Sequence, residues 1–590
     1  RRQRQMCIRD RENYYSSECN IQIIIALLRA YGIRKVIASP GTTNLSFVAS
    51  IQQDAWFDIY SSVDERSAAY IACGMAEESG EPVVLSCTGA TASRNYMPGL
   101  TEAFYRKLPV LAITSSQDIS KIGHLSAQML DRRSFPNDIV RYGIHLPIVK
   151  DDNDLWECEI KVNQALSELK RHGGGPVHIN LTTTYGCDYS VKTLPSVRVI
   201  RRIYSDDVFP DIPQGKIGVF VGSHRKWGQK QTDALDRFCA TNNAVVFCDH
   251  TSAYKGKYRV LYSLVASQDA LQVDMNNLDL LIHIGEISGE YGCLRKLTAK
   301  NVWRVNEDGE MRDFFRRLEY VFEMPEQVFF EHYAQEGTKV FDEYLLRCQA
   351  MYQKLYNAVP ELPFSNLWIA KQMAMKLPEN SVLHLGILNS LRSWNFFEVP
   401  TSVSAYSNVG GFGIDGGVSS LIGASWVDKK RIYFGVFGDL AFFYDMNVLG
   451  NRHVGNNVRL LLINNGAGVE FKNYNHLGAL FGDEADKYIA AAGHYGNKSR
   501  NLVRHYAEDL GFEYLSAGNK DEFLQVYESF LTPAYTPKPI LFEIFTDTKD
   551  ESDALKLIRN ISKDVKSTIV NTAKQLLGPN IKKVIKGIVK

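Results

Sequence analysis

Charge of one sign is what this sequence most lacks. Lysine and arginine total 67 and aspartate and glutamate 66, a net charge of +1, so bulk electrostatics points to neither a nucleic-acid nor an acidic-surface partner. No apolar run approaches the roughly 18 residues that mark a spanning helix. The opening R-R-Q-R-Q-M-C-I-R-D-R carries no apolar signal core, so secretion is not expected. Cysteine occurs ten times but never as C-x-x-C, which fits a reduced, cytoplasmic protein. The first residues are basic, lack a starting Met and show no periodicity. Residues 1–14 are read as a flexible or non-native arm.

What is present is a long, ordinary globular composition. With 590 residues, 45% apolar and 23% charged, the chain exceeds one core and predicts about three or four domains. Strands alternate with helices in three blocks, the pattern of doubly wound parallel sheets. The first spans 15–190, with a helix over 21–31, a strand ending at Ser39-Pro40-Gly41, a small-residue helix over 67–79 and buried strands ending near Cys87 and Ser115-Ser116. The second spans 200–330; Gly222 and Gly285 end strands there, but no full G-x-G-x-x-G follows, so a structural domain is favoured over one that binds a nucleotide. A helical linker (335–363) leads to the third block, 364–550. From 551 to 590, Leu555, Ile558, Ile561, Val565, Ile569 and Leu576 follow a helical period among lysines. That tail reads either as a helix packed on the protein or a subunit, or as a basic amphipathic helix on an anionic membrane face.

The chemistry concentrates in the third block. Strand F-G-V-F-G-D ends in Gly438-Asp439-Leu440-Ala441, a helical stretch follows over 442–452, and strand V-R-L-L-L-I-N-N ends in Asn464-Asn465-Gly466-Ala467-Gly468. Ligands of parallel sheets bind at such strand tips. One acid, one amide and a loop carbonyl supply hard oxygens with a single negative charge, a set suited to Mg²⁺ that a diphosphate helps to hold.

These residues resemble the diphosphate- and metal-binding signature of thiamine-diphosphate enzymes, G-D-G followed at similar spacing by N-N. The resemblance implies Mg²⁺ held by Asp439, Asn465 and the Ala467 carbonyl. The leucine at 440 resembles the menaquinone-pathway synthase branch, whose motif reads G-D-L-S and whose members join 2-oxoglutarate to isochorismate. In V-D-E-R-S-A-A-Y-I-A-C-G-M-A, Glu65 stands where this family places the acid that activates the cofactor's aminopyrimidine; the plainer reading is a strand-end Glu capping the next helix. Gly41, Thr88 and Asn95 match the strand tips beside the pyrimidine. Ser407-Asn408-Val409-Gly410-Gly411-Phe412-Gly413-Ile414-Asp415-Gly416 matches a cofactor-lining segment. It offers Phe412, or else Ile414, as the apolar wedge under the cofactor, with core packing as the plain alternative. Gln128 in L-S-A-Q-M-L matches a substrate-facing amide. The family builds its active site between subunits, which implies a homodimer or homotetramer.

Several departures bear on the substrate. The branch grips two acidic substrates with arginines, whose planar forks pair bidentately with carboxylates. Here S-P-G-S-R reads Ser39-Pro40-Gly41-Thr42-Thr43, and S-N-R-G reads Ser407-Asn408-Val409-Gly410. In N-S-L-R-S-W, after Ser390, the arginine comes early at Arg392 and Trp394 stands near its expected place. Asp118 stands where another arginine is expected. After N-N, the family's I-F pair reads Glu470-Phe471. Arg66, Arg94, Arg132 and Arg133 are candidates to compensate. His124, His453 and His476 are read as solvated or structural.

The resemblance thus implies a three-domain thiamine-diphosphate and Mg²⁺ enzyme. It would decarboxylate a 2-oxo acid and pass the resulting enamine to an acceptor, with substrates altered from those of the branch. The alternatives are a 2-oxo acid decarboxylase or acetolactate-synthase-like enzyme, for instance in polysaccharide synthesis, and a cofactor-binding regulatory protein without catalysis. The implied location is cytoplasmic, with the tail at the inner membrane face on the second reading of its helix.

Overall fold

The computed structural model describes residues 14–132, 134–271, 274–289, 291–334, 342–494 and 498–562. All of the expected arm but Tyr14, and most of the tail, lie outside them. The chain divides into two compact units: the first runs to Tyr204 and takes in Gly309–Val321, and the second holds Ser205–Asp308 and the chain from Phe322 onward.

The first unit contains a six-stranded parallel sheet. Its strands are β1 (Lys35–Ala38), β2 (Asp58–Ser61), β3 (Val83–Thr88), β4 (Val110–Ser116), β5 (Tyr142–Leu146) and β6 (Val177–Thr182), in the order β2-β1-β3-β4-β6-β5. β3, β4 and β6 are almost wholly buried along their length, as strands covered on both faces must be. The helix Glu65–Ser79 packs through Ala68, Ala69, Ala72, Cys73 and Ala76. Small residues are needed there, because helix Met97–Arg106 comes so near that a Cβ on Gly99 would stand 2.4 Å from the Ala69 Cβ.

Short strands β7 (Arg201–Ile203) and β13 (Leu318–Phe322) lie in the chain on either side of the central strands. Those are β8 (Ile217–Val221), β9 (Ala244–Cys248), β10 (Arg259–Leu261), β11 (Asn277–Ile284) and β12 (Thr298–Val305), parallel and ordered β10-β9-β8-β11-β12. The third sheet comprises β14 (Val382–Leu385), β15 (Ser404–Tyr406), β16 (Tyr433–Gly438), β17 (Val458–Asn464), β18 (Glu513–Ala517) and β19 (Ile540–Phe545). Its order is β15-β14-β16-β17-β19-β18. The fold is the three-sheet α/β architecture expected. The first and third sheets also share one strand order, which no sequence self-similarity announced.

In both sheets the chain order reverses beside the first strand, between β1 and β3 and between β14 and β16. Ligands of open α/β sheets bind at such reversals, beyond the carboxyl ends of the strands. Gly41 and Thr88 stand at the first, Ser390 and Asp439 at the second.

Two boundaries differ from the sequence expectation. The helix after β16 begins at Asp439, runs to Asp445 and tightens into a 3-10 segment, Met446–Gly450. An aspartate in the first turn favours that early start, since the helix N-terminus carries partial positive charge. The linker helix covers Glu343–Asn357. Of the tail, helix Thr548–Arg559 buries Glu551, Ala554, Leu555 and Ile558, and Gln268 Nε2 donates to the Ile558 carbonyl at 2.8 Å. The tail therefore packs on the protein as far as Ser562, and the lysine-rich stretch beyond lies outside the described residues. No helix among the described residues is long and apolar enough to cross a membrane.

Candidate active site

In the second unit the tips of β16 and β17 are tied through one carboxylate. Asp439 is 4% exposed. Its Oδ1 accepts from Leu440 N at 2.7 Å and its Oδ2 from Gly466 N at 2.6 Å. Gly466 takes a φ of 75° to present that N–H, a conformation that favours glycine. Burial pushes the Asp439 carboxyl up to about 6, against the pull of the backbone donors. Asn465 Oδ1 accepts weakly from Ala467 N at 3.4 Å. Asn464 instead turns to Glu543, donating from Nδ2 at 2.7 Å, so of the amide pair only Asn465 stays on the site side. Leu440 leans toward Gly468, where a Cβ would stand 3.3 Å from Leu440 Cδ1. Ala441 is half-buried in the same helix.

Beyond the tip of β15, Ser407 Oγ is buried without a hydrogen-bond partner. Asn408 Nδ2 donates to Ser420 Oγ at 3.0 Å. Phe412 is half-buried with a φ of 54°, and Gly413 and Ile414 follow it on the loop into helix Gly417–Val427. Among the described residues no group of three His, Cys, Asp or Glu side chains could hold a metal. One carboxylate with amide and carbonyl oxygens is still a donor set of the kind Mg²⁺ takes when phosphate and water complete its shell. The orphaned Ser407 hydroxyl adds a donor of the sort a diphosphate would engage.

In the first unit, Asp64 caps the helix Glu65–Ser79, accepting from Arg66 N and Ser67 N. The capping role suggested for Glu65 thus falls to its neighbour. Glu65 is half-buried, less than its expected role calls for, and accepts from Asn95 Nδ2 at 3.2 Å. Two sequence-expected residues from separate elements therefore meet. Gly41 lies against Thr88, where a Cβ would stand 2.3 Å from Thr88 Cγ2. Gln128 is exposed on the loop after β4, with a φ of 64°. Glu65 belongs to the first unit and Asp439 to the second.

Each position where an arginine was expected now has a defined environment. Thr43 is buried and donates from Oγ1 to the Ser115 carbonyl at 2.6 Å, while Thr42 is exposed. Val409 is buried. Asp118 caps a 3-10 turn through Ser120 N. Arg392 forms a two-pronged ion pair with Glu470, both bonds 2.8 Å, beside half-buried Phe471. Ser390 is buried and accepts from Asn366 Nδ2 at 3.2 Å. Of the candidate replacements, Arg66 lies beside Asp64 at 3.7 Å and Arg94 donates to the Asp131 carbonyl at 2.9 Å. Arg132 is 1% exposed, donates to Thr114 Oγ1, and is pushed down to about 10 by burial. Arg133 lies outside the described residues. Of the histidines, His124 and His453 are exposed and His476 caps a turn at Gly478 N.

Sequence reasoning missed the Arg392–Glu470 pair and Glu551. The carboxylate of Glu551 is 2% exposed and accepts from Asn366 N, Thr546 Oγ1 and Asn389 Nδ2. The pair left a signal, one displaced cation and one misplaced anion; a single Glu in an amphipathic tail left none.

Residues 21–135 match the family model for the N-terminal TPP-binding domain of thiamine pyrophosphate enzymes. The chain is 30% identical over 572 residues to the 2-succinyl-5-enolpyruvyl-6-hydroxy-3-cyclohexene-1-carboxylate synthase of Bacteroides fragilis, covering 92% of this chain and 98% of that protein. It is 29% identical over 581 residues to the synthase of the same name from Bacteroides thetaiotaomicron, with the same coverage. With that of Flavobacterium psychrophilum it is 26% identical over 555 residues, covering 90% and 96%. Those similarities run through the Glu65–Asn95 and Asp439–Gly466 sites alike, and on them the chain belongs to the 2-succinyl-5-enolpyruvyl-6-hydroxy-3-cyclohexene-1-carboxylate synthase family of thiamine-diphosphate enzymes.

Proposed function

We propose that this protein is a thiamine-diphosphate- and Mg²⁺-dependent carboligase that takes a 2-oxo acid as donor and uses substrates altered from those of its relatives. The observation that carries the reading is the buried Asp439 carboxylate bridging two strand tips beside Asn465. When bound, thiamine diphosphate supplies the electron sink through which a 2-oxo acid loses CO₂ and passes its acyl carbon to an acceptor.

The chain's own residues divide the remaining work. Asp439, Asn465 Oδ1 and the Ala467 carbonyl hold Mg²⁺, and Ser407 Oγ donates to a phosphate oxygen. Phe412 and Ile414 supply the apolar surface beneath the cofactor. Glu65 would serve as the acid–base group toward the pyrimidine of a bound cofactor, and Asn95 Nδ2, 3.2 Å away, orients its carboxyl. Gln128, Thr42, Thr43, Ser390 and Phe471 line the substrate side. Assembly of at least two copies brings the Glu65 face of one subunit to the Asp439 face of another.

The altered-substrate clause rests on lost cations. Thr43 and Val409 cannot pair with a carboxylate as arginine does, and Arg392 is already engaged by Glu470. A charged hydrogen bond contributes about 1.5–3 kcal/mol, so losing two or three weakens a dicarboxylate severely. The test measures CO₂ release from a panel of 2-oxo acids, with Mg²⁺ and thiamine diphosphate, with and without acceptors. One donor other than 2-oxoglutarate is expected to turn over. Ordinary turnover of 2-oxoglutarate with isochorismate refutes the altered substrates, and no CO₂ from any donor refutes the reading as a whole.

A further inference from the structure

The central sheet carries a cavity of about 510 Å³ that the proposed chemistry does not use. Its position follows from topology. The chain lays down β8, β9 and β10 toward one edge, then returns to place β11 and β12 on the other side of β8. The order reverses between β8 and β11, and the cavity lies there, lined by the segments after β8, β11 and β12. Such a reversal is the general place for a ligand in an open parallel sheet, and the volume is that of a small-molecule site.

The loops are built to meet there. Gly222 N donates to the Ile284 carbonyl at 3.0 Å and Glu286 N to the Ser223 carbonyl at 2.8 Å. A Cβ on Gly222 would stand 1.9 Å from the Glu286 carbonyl oxygen, and Gly285 takes a φ of 71°. Next to this junction, His224 stacks on Trp227 at 4.5 Å, and its Nε2 lies 3.1 Å from Glu326. Helix Gln229–Asn242 starts immediately afterwards, and Gln231 in its first turn faces the cavity.

The cavity is lined by both signs of charge: Arg225, Lys226 and Arg304, with Glu286, Glu307, Asp308 and Glu326. Arg225 and Lys226 approach from the β8 side, next to the helix N-terminus, where an anion is favoured. Arg304, 1% exposed at the end of β12, lines the floor, 3.6 Å from Glu286. Across from the cationic loop, Asn306, Glu307 and Asp308 follow β12. A bare phosphate or a dicarboxylate would meet those acids as well as the cations. A ligand with a phosphate at one end and hydroxyls at the other satisfies both, because carboxylates accept from sugar hydroxyls. The lining contains no apolar side chain, and its one ring, the His224 imidazole, is already stacked on Trp227, so no free apolar face is offered to a flat ring.

We propose that the central sheet binds a phosphorylated sugar at the β8–β11 reversal, its phosphate on the Arg225–Lys226 loop and its hydroxyls on Asn306 and Asp308. The sugar phosphate is either free or the ribose phosphate of a nucleotide whose base stays outside.

Calorimetry on the full chain, with excess thiamine diphosphate and Mg²⁺ to fill the other phosphate site, tests this with ribose 5-phosphate, ADP, ribose and inorganic phosphate. Ribose 5-phosphate is expected to bind saturably, and at least about tenfold more tightly than ribose or phosphate alone, a difference of about 1.4 kcal/mol. The double variant Arg225→Ala/Lys226→Ala and, separately, Asp308→Asn should each weaken it by about tenfold or more. ADP binding as tightly as ribose 5-phosphate assigns the site to nucleotides, and ribose 5-phosphate alone assigns it to free sugar phosphates; both support the proposal. It is overturned if ADP binds and ribose 5-phosphate does not, if phosphate alone binds equally well, if neither variant changes the affinity, or if nothing binds saturably.

Discussion

Arg392 and Glu470 face each other fork to fork, Nη1 to Oε2 and Nη2 to Oε1, each at 2.8 Å. Both side chains are 18% exposed. Burial alone would raise the Glu470 carboxyl, but Arg392 more than reverses that and holds it below the usual carboxylate range. Asn473 Nδ2 adds a third donor at 3.3 Å. Removing either partner leaves a buried charge, which costs about 3–5 kcal/mol. Arg392→Ala and Glu470→Ala should each lower unfolding free energy by about 3 kcal/mol, and the double Arg392→Ala/Glu470→Ala variant by much less than their sum. Urea titrations of the four proteins measure this, and strictly additive losses would show the pair to be uncoupled.

The contact between Glu65 and Asn95 bears on activity rather than stability, since Asn95 is exposed and Glu65 half-buried. Glu65→Gln keeps the shape and removes the exchangeable acid proton. Turnover should fall by at least about 10²–10⁴, with thiamine diphosphate affinity within about threefold of the parent. Asn95→Ala should lower turnover less, because it loosens the acid without removing it. Steady-state rates alongside calorimetric cofactor binding separate the two effects, and an undiminished rate in Glu65→Gln removes Glu65 from its role.

Much of this site was legible because the chemistry forces local patterns. β16 and β17 are buried along almost all their length, apolar in that stretch but for Arg459, and end in Gly438-Asp439 and Asn464-Asn465. A strand tip with an acid and an amide is a recognisable pattern within a few residues. Pairings made across distance were not legible. Arg392 and Glu470 are far apart in sequence and read as two unrelated departures until the fold set them face to face. The shared strand order of the first and third sheets is fixed by crossovers and packing, not by similar side chains, so no repeat appeared in the sequence. Helix limits slipped for a local reason: the helix was expected from 442, whereas Asp439 at the first turn set its start.

If Asp439 holds the metal, cofactor uptake depends on it. Asp439→Asn retains one oxygen for the Leu440 or Gly466 N–H but loses the charge that Mg²⁺ requires. With Mg²⁺ and thiamine diphosphate at about a hundredfold over Kd, the parent protein should gain about 2.7 kcal/mol of stability. The variant should gain almost none, and a chelator should erase the parent's gain. Thermal unfolding with and without Mg²⁺ reads all three, and a full gain in Asp439→Asn would place the metal elsewhere.

Glu551 makes stability depend on pH in a direction opposite to that of most carboxylates. Burial raises its carboxyl to about 7, despite donors from Asn366 N, Thr546 and Asn389, and neighbouring Asp550 adds to the rise. The unfolded chain releases this proton at the ordinary value of 4.5. Below that value both states are protonated and the group contributes no pH dependence. As pH rises from there toward about 7, the folded state keeps a proton that the unfolded state has lost. Stability then falls, by at most about 1.4 kcal/mol per pH unit, and above the folded value the penalty is constant. Glu551→Gln keeps an oxygen for Asn366 N and Thr546, and Asn389 can turn its amide to meet the new N–H. Urea midpoints from about pH 5 to about pH 8 should therefore decline more steeply in the parent than in the variant, with the gap widening until near neutrality. Parallel profiles would mean that Glu551 is ionised in the folded protein, with an unidentified cation or water compensating its burial.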